Sequence, residues 1–227
     1  MREAAGRIIV SGAGKLRVFL WPELSKSEET ILAGSGALCA GRGSVFAASD
    51  ENAIYRLDRR TLLPQSVYAG GPGMRVLCLS ADGRRLYALL SDADSVLMLG
   101  ADTGAMLMLA RVGVCPQSMR FDDTGQRLVI AGGKDGCAYL LCAQTLKLLG
   151  RYSADGHCAD ASARAGCVRA LRFCGERVCA AAGKLIHADG VTLLLDPLTE
   201  RLFCRVGGEW RLVCDSARDV AVLLDRE

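Results

Sequence analysis

Histidine occurs only twice in this chain of 227 residues, as His157 and His187, so chemistry that needs an imidazole base has few places to reside. Long apolar runs are missing too. No segment reaches the roughly 18 apolar residues of a membrane-spanning helix, and the apolar stretch in MREAAGRIIVSGAG is too short for a secretory leader. The sequence therefore predicts a cytoplasmic protein without membrane contact. Neither sign of charge dominates. Against 25 acidic residues stand 28 basic ones, a net charge of +3, and the basic clusters are only pairs such as Arg59 with Arg60 and Arg84 with Arg85. This balance argues against nucleic acid as a partner.

The usual enzyme signatures are absent as well. There is no G-x-S-x-G elbow, H-E-x-x-H helix, dinucleotide glycine fingerprint or C-x-x-C. SGAGKLRV, residues 11–18, approaches a phosphate loop, but Ile9 and Leu16 stand where that loop needs glycine and a hydroxyl residue. It reads as a hairpin turn. Cysteine is plentiful, at eleven residues, yet the count is odd and most lie in apolar runs such as CAYLLCA. Reduced, packed thiols are expected rather than a disulfide framework.

What the chain does contain is a repeat. Thr61, Thr103 and Thr145 recur at 42 residues, as do Gly41, Gly83 and Gly125, and Ser44, Leu86 and Leu128. A fourth copy places Phe173 on Phe121 and Thr199 on Thr145, with about ten additional residues in DGHCADASARAGC, residues 155–167. The clearest copy holds four short apolar segments, RVLCLS, RLYALL, SVLMLG and AMLMLA, joined by ADGR, SDAD and ADTG. Asp, Gly and Ser suit tight turns because they tolerate positive φ or bond to their own backbone. Several segments are apolar on both faces, which predicts antiparallel sheets stacked face to face. A four-stranded unit of about 42 residues buried on both sides is the pattern of a β-propeller blade.

PGMRVLCLSADGRRLYALLSDADSVLMLGADTGAMLML and PQSMRFDDTGQRLVIAGGKDGCAYLLCAQTLKLL resemble the YVTN-type propeller repeat, which runs from a Pro-Gly entry through SPDGKRLYV to VSVID..T. The resemblance is strongest over residues 72–150 and weaker at 37–70 and 168–206. The Trp-Asp dipeptide of WD40 blades is absent. The resemblance implies a YVTN/lactonase-like, WD40-like propeller; because that family covers many functions, it speaks to fold more than to activity.

Five units and the insertion account for nearly all of the 227 residues. The expected fold is all-β: one five-bladed propeller domain over residues 1–227 with blades at about 36–71, 72–113, 114–166 and 167–207, and a fifth shared by 208–227 and 1–35. EWRLVCD and VAVLLD from one end would join KLRVFL and ETILAG from the other, but GRIIVSG also reads as a second strand of that blade, which implies an extra or displaced strand there. A monomer is expected, with dimerisation through the terminal blade as the alternative.

Candidate site residues follow from repeat positions. Arg75, Gln117 and Arg169 each lie four residues before an inner-strand landmark, and Arg211 begins the expected fifth inner strand. Together they would form a cationic channel mouth for a carboxylate or phosphate. The insertion gathers Asp155, His157, Cys158 and Asp160 in an expected interaction loop, whose spacing matches no common zinc motif. Asp50 and Asp92 are equivalent turn residues, but Lys134 in the third copy breaks a carboxylate ring. Cys174 and Cys179 are expected to face each other across a hairpin, and Cys137 and Cys142 to point to opposite faces of one strand. No metal, cofactor or catalytic residue is expected. The functional expectation is a non-catalytic module binding a protein, peptide or small anionic ligand, with a small lactonase-like hydrolase as the alternative.

Overall fold

A computed structural model describes residues 6–224 apart from residues 22, 33–35, 42, 123, 132–133, 135–136, 154–170, 175–176, 181–183, 189–190, 197–200, 207–208 and 216–218. Its described residues are all-β. Strands β1 (Gly6–Gly12), β2 (Lys15–Trp21) and β3 (Ser25–Ile31) form a meander. The next three meanders are β4 (Leu38–Ala40), β5 (Ser44–Ala48), β6 (Ala53–Asp58) and β7 (Pro64–Ala69); β8 (Met74–Leu79), β9 (Arg85–Leu90), β10 (Ser95–Gly100) and β11 (Met106–Arg111); and β12 (Ser118–Phe121), β13 (Arg127–Ala131), β14 (Cys137–Cys142) and β15 (Leu148–Ser153). Each is a four-stranded sheet in chain order. The repeat is thus a sheet, as the alternating apolar segments and Asp/Gly turns require.

The fourth copy departs from this scheme. Its first two segments form a separate hairpin, β16 (Leu171–Cys174) with β17 (Arg177–Ala180). A four-stranded sheet then follows from β18 (Lys184–Ala188), β19 (Val191–Asp196), β20 (Arg201–Val206) and β21 (Glu209–Cys214). Ala188-Asp189-Gly190 places KLIHA beside VTLLLD across a very short connection. That local pairing closes a smaller loop than pairing β19 with β17 would. Register in the hairpin sets Cys179 opposite Arg172 and Cys174 opposite Arg177, so the two cysteines are not cross-strand partners.

The last strand, β22 (Asp219–Leu224), pairs antiparallel with β1 from Gly6 with Leu224 to Ser11 with Asp219. One sheet, in the order β22-β1-β2-β3, therefore holds both ends of the chain. Its membership differs from the sequence expectation. The segment GRIIVSG is the second strand, as its own pattern suggests, and EWRLVC lies beside β20. The physical reason is burial: Ile8, Ile9 and Val10 are fully buried, which suits an internal strand, whereas Trp210 and Leu212 stay about half exposed, which suits the edge.

The residues divide into two compact units, one of 1–51, 55–66 and 183–227, the other of 52–54 and 67–182. In the first, β1 and β2 are buried on both faces. Ile8, Val10 and Phe19 pack with Leu193, Leu195, Leu202 and Cys204, while Ile9, Leu16 and Val18 pack with Leu38, Val45, Leu57 and Leu62. This alternation of faces along the strand explains why the run is apolar without a break. Strand β22 packs beside β4. The buried Ser11 hydroxyl donates to the Gly36 carbonyl.

In the second unit, Tyr87, Leu89, Val96 and Met98 pack against Leu128, Ile130, Tyr139 and Leu141. Strands β8 and β12 lie side by side, and β12 touches β16. Phe121 meets the Tyr87 ring edge to face at 5.3 Å. Ser91, four residues beyond Tyr87 just as Ser11 is four beyond Arg7, donates its hydroxyl to the Pro116 carbonyl.

The turns between third and last strands repeat in detail. Leu62, Gly104 and Leu146 have φ of 55°, 68° and 50°, and each N–H bonds to the carbonyl four residues earlier, at 2.9, 2.8 and 2.8 Å. A register shift follows at Met98/Leu99 and again, one repeat later, at Leu140/Leu141, as in a hairpin closed by a bulge. Leucine tolerates the left-handed position because its side chain is buried at Leu62 and Leu146; that burial, about 1.5–3 kcal/mol, exceeds the strain of about 1–2 kcal/mol. At Gly104 the corresponding space is taken by the Tyr68 ring, which a Cβ would meet at 2.2 Å.

The same turn presents one carbonyl to a long donor each time. Arg7 donates to Arg59 O at 2.6 Å, Tyr68 to Ala101 O at 2.8 Å and Tyr87 to Ala143 O at 2.7 Å. Residues 59, 101 and 143 are one repeat apart. A different side chain thus satisfies the same buried backbone acceptor at each step.

Candidate functional site

The starts of the first strands were the expected site. In the second unit Arg75 lies at a register shift between Met74 and Val76 of β8 and is exposed; a bulge re-aims the side chain it carries. Gln117 directly precedes β12 and is half-buried. Its amide donates to its own turn, at 2.8 Å to the Cys115 carbonyl. Since β8 and β12 are packed together, these two residues occupy corresponding ends of adjacent strands. Arg211 lies in the other unit, exposed on β21 opposite Cys204, and so does not begin the strand that pairs with β1. Arg169, Asp155, His157, Cys158 and Asp160 lie outside the described residues.

The acidic turns spend their polarity on their own backbone. Asp94, at φ 51°, accepts the Cys115 N–H at 2.7 Å, and its carbonyl accepts from Val112. Asn52 makes the corresponding bond to Gly70 one repeat earlier. Asp50, Asp92 and Lys134 are exposed. In the turn after β6, Asp58 Oδ1 accepts from the N–H groups of Arg60 and Thr61 at 2.9 and 2.8 Å; the bond from Thr61, then that from Arg60, holds its carboxyl below the usual range. Among the described residues, no group of three or more His, Cys, Asp or Glu is placed to hold a metal ion.

Cys142 occupies the position of Asp58 two repeats later. The Thr145 side chain, then the N–H groups of Thr145 and Gln144, stabilise its thiolate and lower its pKa. Burial instead raises the thiols of Cys204 and Cys214. Cys137 and Cys142 share β14 with an odd separation, and so fall on opposite faces.

Sequence patterning missed a contrast among the last strands. Strand β3, SKSEETI, is exposed along almost its whole length, and Glu29 bridges Lys15 at 2.6 Å and Lys26 at 2.5 Å. Those two lysines hold the Glu29 carboxyl down at about 2. Charges on an edge strand discourage further pairing. Strands β11 and β15, last in their sheets, instead expose Met106, Leu107, Leu109, Leu148 and Leu149, each between 51% and 69%. Met106 and Leu107 are one repeat from Leu148 and Leu149. The signal was present in AMLMLA and KLLG, but apolar strand residues read as core until the neighbours are known.

No family model and no curated protein sequence matches the chain. Solved structures do. A chain of a mitotic checkpoint complex superposes with a TM-score of 0.58 and 14% identity, covering 92% of this chain and 64% of its own length. A chain of hydrazine synthase from Kuenenia stuttgartiensis gives 0.54 and 14%, covering 87% and 51%. The chain thus spans roughly half to two thirds of the lengths of these neighbours. They are propeller-like folds, and the likeness establishes a β-propeller-like fold for this chain. No helix among its described residues is long and apolar enough to cross a membrane.

Proposed function

We propose that the chain is a non-catalytic interaction module on a five-bladed propeller of the YVTN type, with one blade built from both chain ends. Five four-stranded sheets, one of them joining β22 to β1, support the blade number and the closure. Strands β21 and β22 are both paired within the chain, which favours a monomer.

The observation that carries the reading is the exposed apolar row on β11 and β15, set against the charged edge of β3. Its polar counterparts in the turns are engaged in their own hydrogen bonds, which suits a rigid scaffold that presents surfaces. Large apolar residues left exposed at the same position of two edge strands suit a protein-contacting surface, so a protein partner takes precedence. A small anion at Arg75, Gln117 and Arg169 and a contact through residues 155–167 remain parts of the proposal.

The test compares immobilised wild-type protein with the Leu107→Lys/Leu149→Lys variant. A protein held by the wild type, lost by the variant and rebinding as a purified component is the expected result. Equal retention by both proteins, or lactone hydrolysis above the buffer rate, would overturn the reading.

A further inference from the structure

Val112, just beyond β11, donates its N–H to the Asp94 carbonyl at 2.7 Å. From there β11 keeps one register with β10, from Arg111 opposite Ser95 back to Met108 opposite Met98. In an antiparallel ladder, alternate residues direct both of their backbone groups at the same neighbour. Met108 and Ala110 therefore bond to β10, whereas Leu109 and Arg111 turn N–H and C=O outward, where no further strand follows among the described residues. Both outward residues are exposed.

The other outer strands are guarded. Strand β3 carries Lys26, Glu28 and Glu29, β7 opens on Pro64, β15 is interrupted by Gly150 and Arg151, and β21 holds Arg211 at its middle. Charge, proline and glycine each discourage the addition of a strand. Residues 106–110 contain none of them. Arg111 closes β11 and, among the described residues, enters no ion pair. Outward backbone groups at alternate residues are satisfied in register only by an extended chain, and the guanidinium matches a carboxylate on that chain. A second copy fits poorly. Self-pairing of β11 brings no carboxylate to Arg111, since the strand has none, and two strands about 20 Å long fall far short of the roughly 1,200 Å² that a stable dimer buries.

From the outward backbone and its terminal cation we propose that β11 is a strand-addition site. It takes an extended, alternately apolar segment of a partner protein as a fifth strand, antiparallel because that pairing is the more stable, with an acidic residue opposite Arg111. This names the partner chemistry of the interaction module and rests on that reading. Hydrogen exchange of the isotopically labelled protein with the end-blocked hexapeptide Glu-Val-Thr-Val-Thr-Val tests it. Saturable binding is expected to slow exchange tenfold or more at the Leu109 and Arg111 amides, with little change at Met108 and Ala110, which already bond to β10. Lysine in place of the peptide's glutamate should weaken binding at least threefold, a difference that Arg111→Gln removes. The peptide N-methylated at both threonines, a change that leaves the protein intact, should not bind. Absence of saturable binding, binding without protection at Leu109 and Arg111, or binding unaffected by N-methylation overturns strand addition. Protection of those amides by rising protein concentration alone marks a second copy and also overturns it. The module itself is decided separately, by retention of protein on the Leu107→Lys/Leu149→Lys variant.

Discussion

Leu62, Gly104 and Leu146 occupy one left-handed turn position in three copies, but only the glycine has its missing side chain replaced by a neighbour's ring. Gly104→Ala should therefore cost about 2–4 kcal/mol, the sum of a clash with Tyr68 and left-handed strain, read from urea unfolding. Tyr68→Phe should cost about 1–2 kcal/mol by orphaning the buried Ala101 carbonyl. At Cys142 the lowered thiol pKa predicts alkylation by iodoacetamide faster than at Cys204 near neutral pH, and slowing of the Cys142 reaction in Thr145→Val. Glu29 should titrate at about 2 in carbon-detected NMR. Its folded pKa lies below the unfolded value, so whatever stability it contributes is present above about pH 4.3 and is lost as pH falls toward 2. Exposure keeps that contribution small.

At the scale of elements, the 42-residue spacing and the Asp/Gly turns were enough to draw β8 to β11 and to mark where the neighbouring copies repeat them, since strand alternation and turn chemistry are local. The parts that were not legible depend on distant competition. GRIIVSG and EWRLVC both read as strands, and only packing of Ile8 and Ile9 between two groups of partners decides which becomes internal. The candidate site suffered similarly. Arg75 and Gln117 fall on adjacent strands as the repeat implies, whereas Arg211 was placed by assuming that EWRLVC begins the last blade. The bonds from Arg7 to the Arg59 and Arg60 carbonyls left no local trace at all, because these residues are brought together by tertiary structure. On β11, replacing Leu107 and Leu109 with lysine should leave the melting temperature within about 1 °C, since both side chains are exposed, and should reduce any concentration-dependent association seen by light scattering.

At the scale of the whole molecule, the scaffold depends on the pairing of β22 with β1. Six backbone partners join the two strands, and at about 0.5–1.5 kcal/mol for each hydrogen bond their loss approaches the 5–15 kcal/mol stability of a typical domain. Removing residues 219–227 should therefore abolish cooperative unfolding rather than merely lower its midpoint. Nuclear Overhauser contacts between the backbones of β1 and β22 test the central claim directly. Cross-strand contacts linking Ile9 with Ala221 and Arg7 with Leu223 are predicted. Contacts from β1 to Glu209–Cys214 instead would return β21 to the terminal sheet and contradict the architecture on which the proposed interaction scaffold rests.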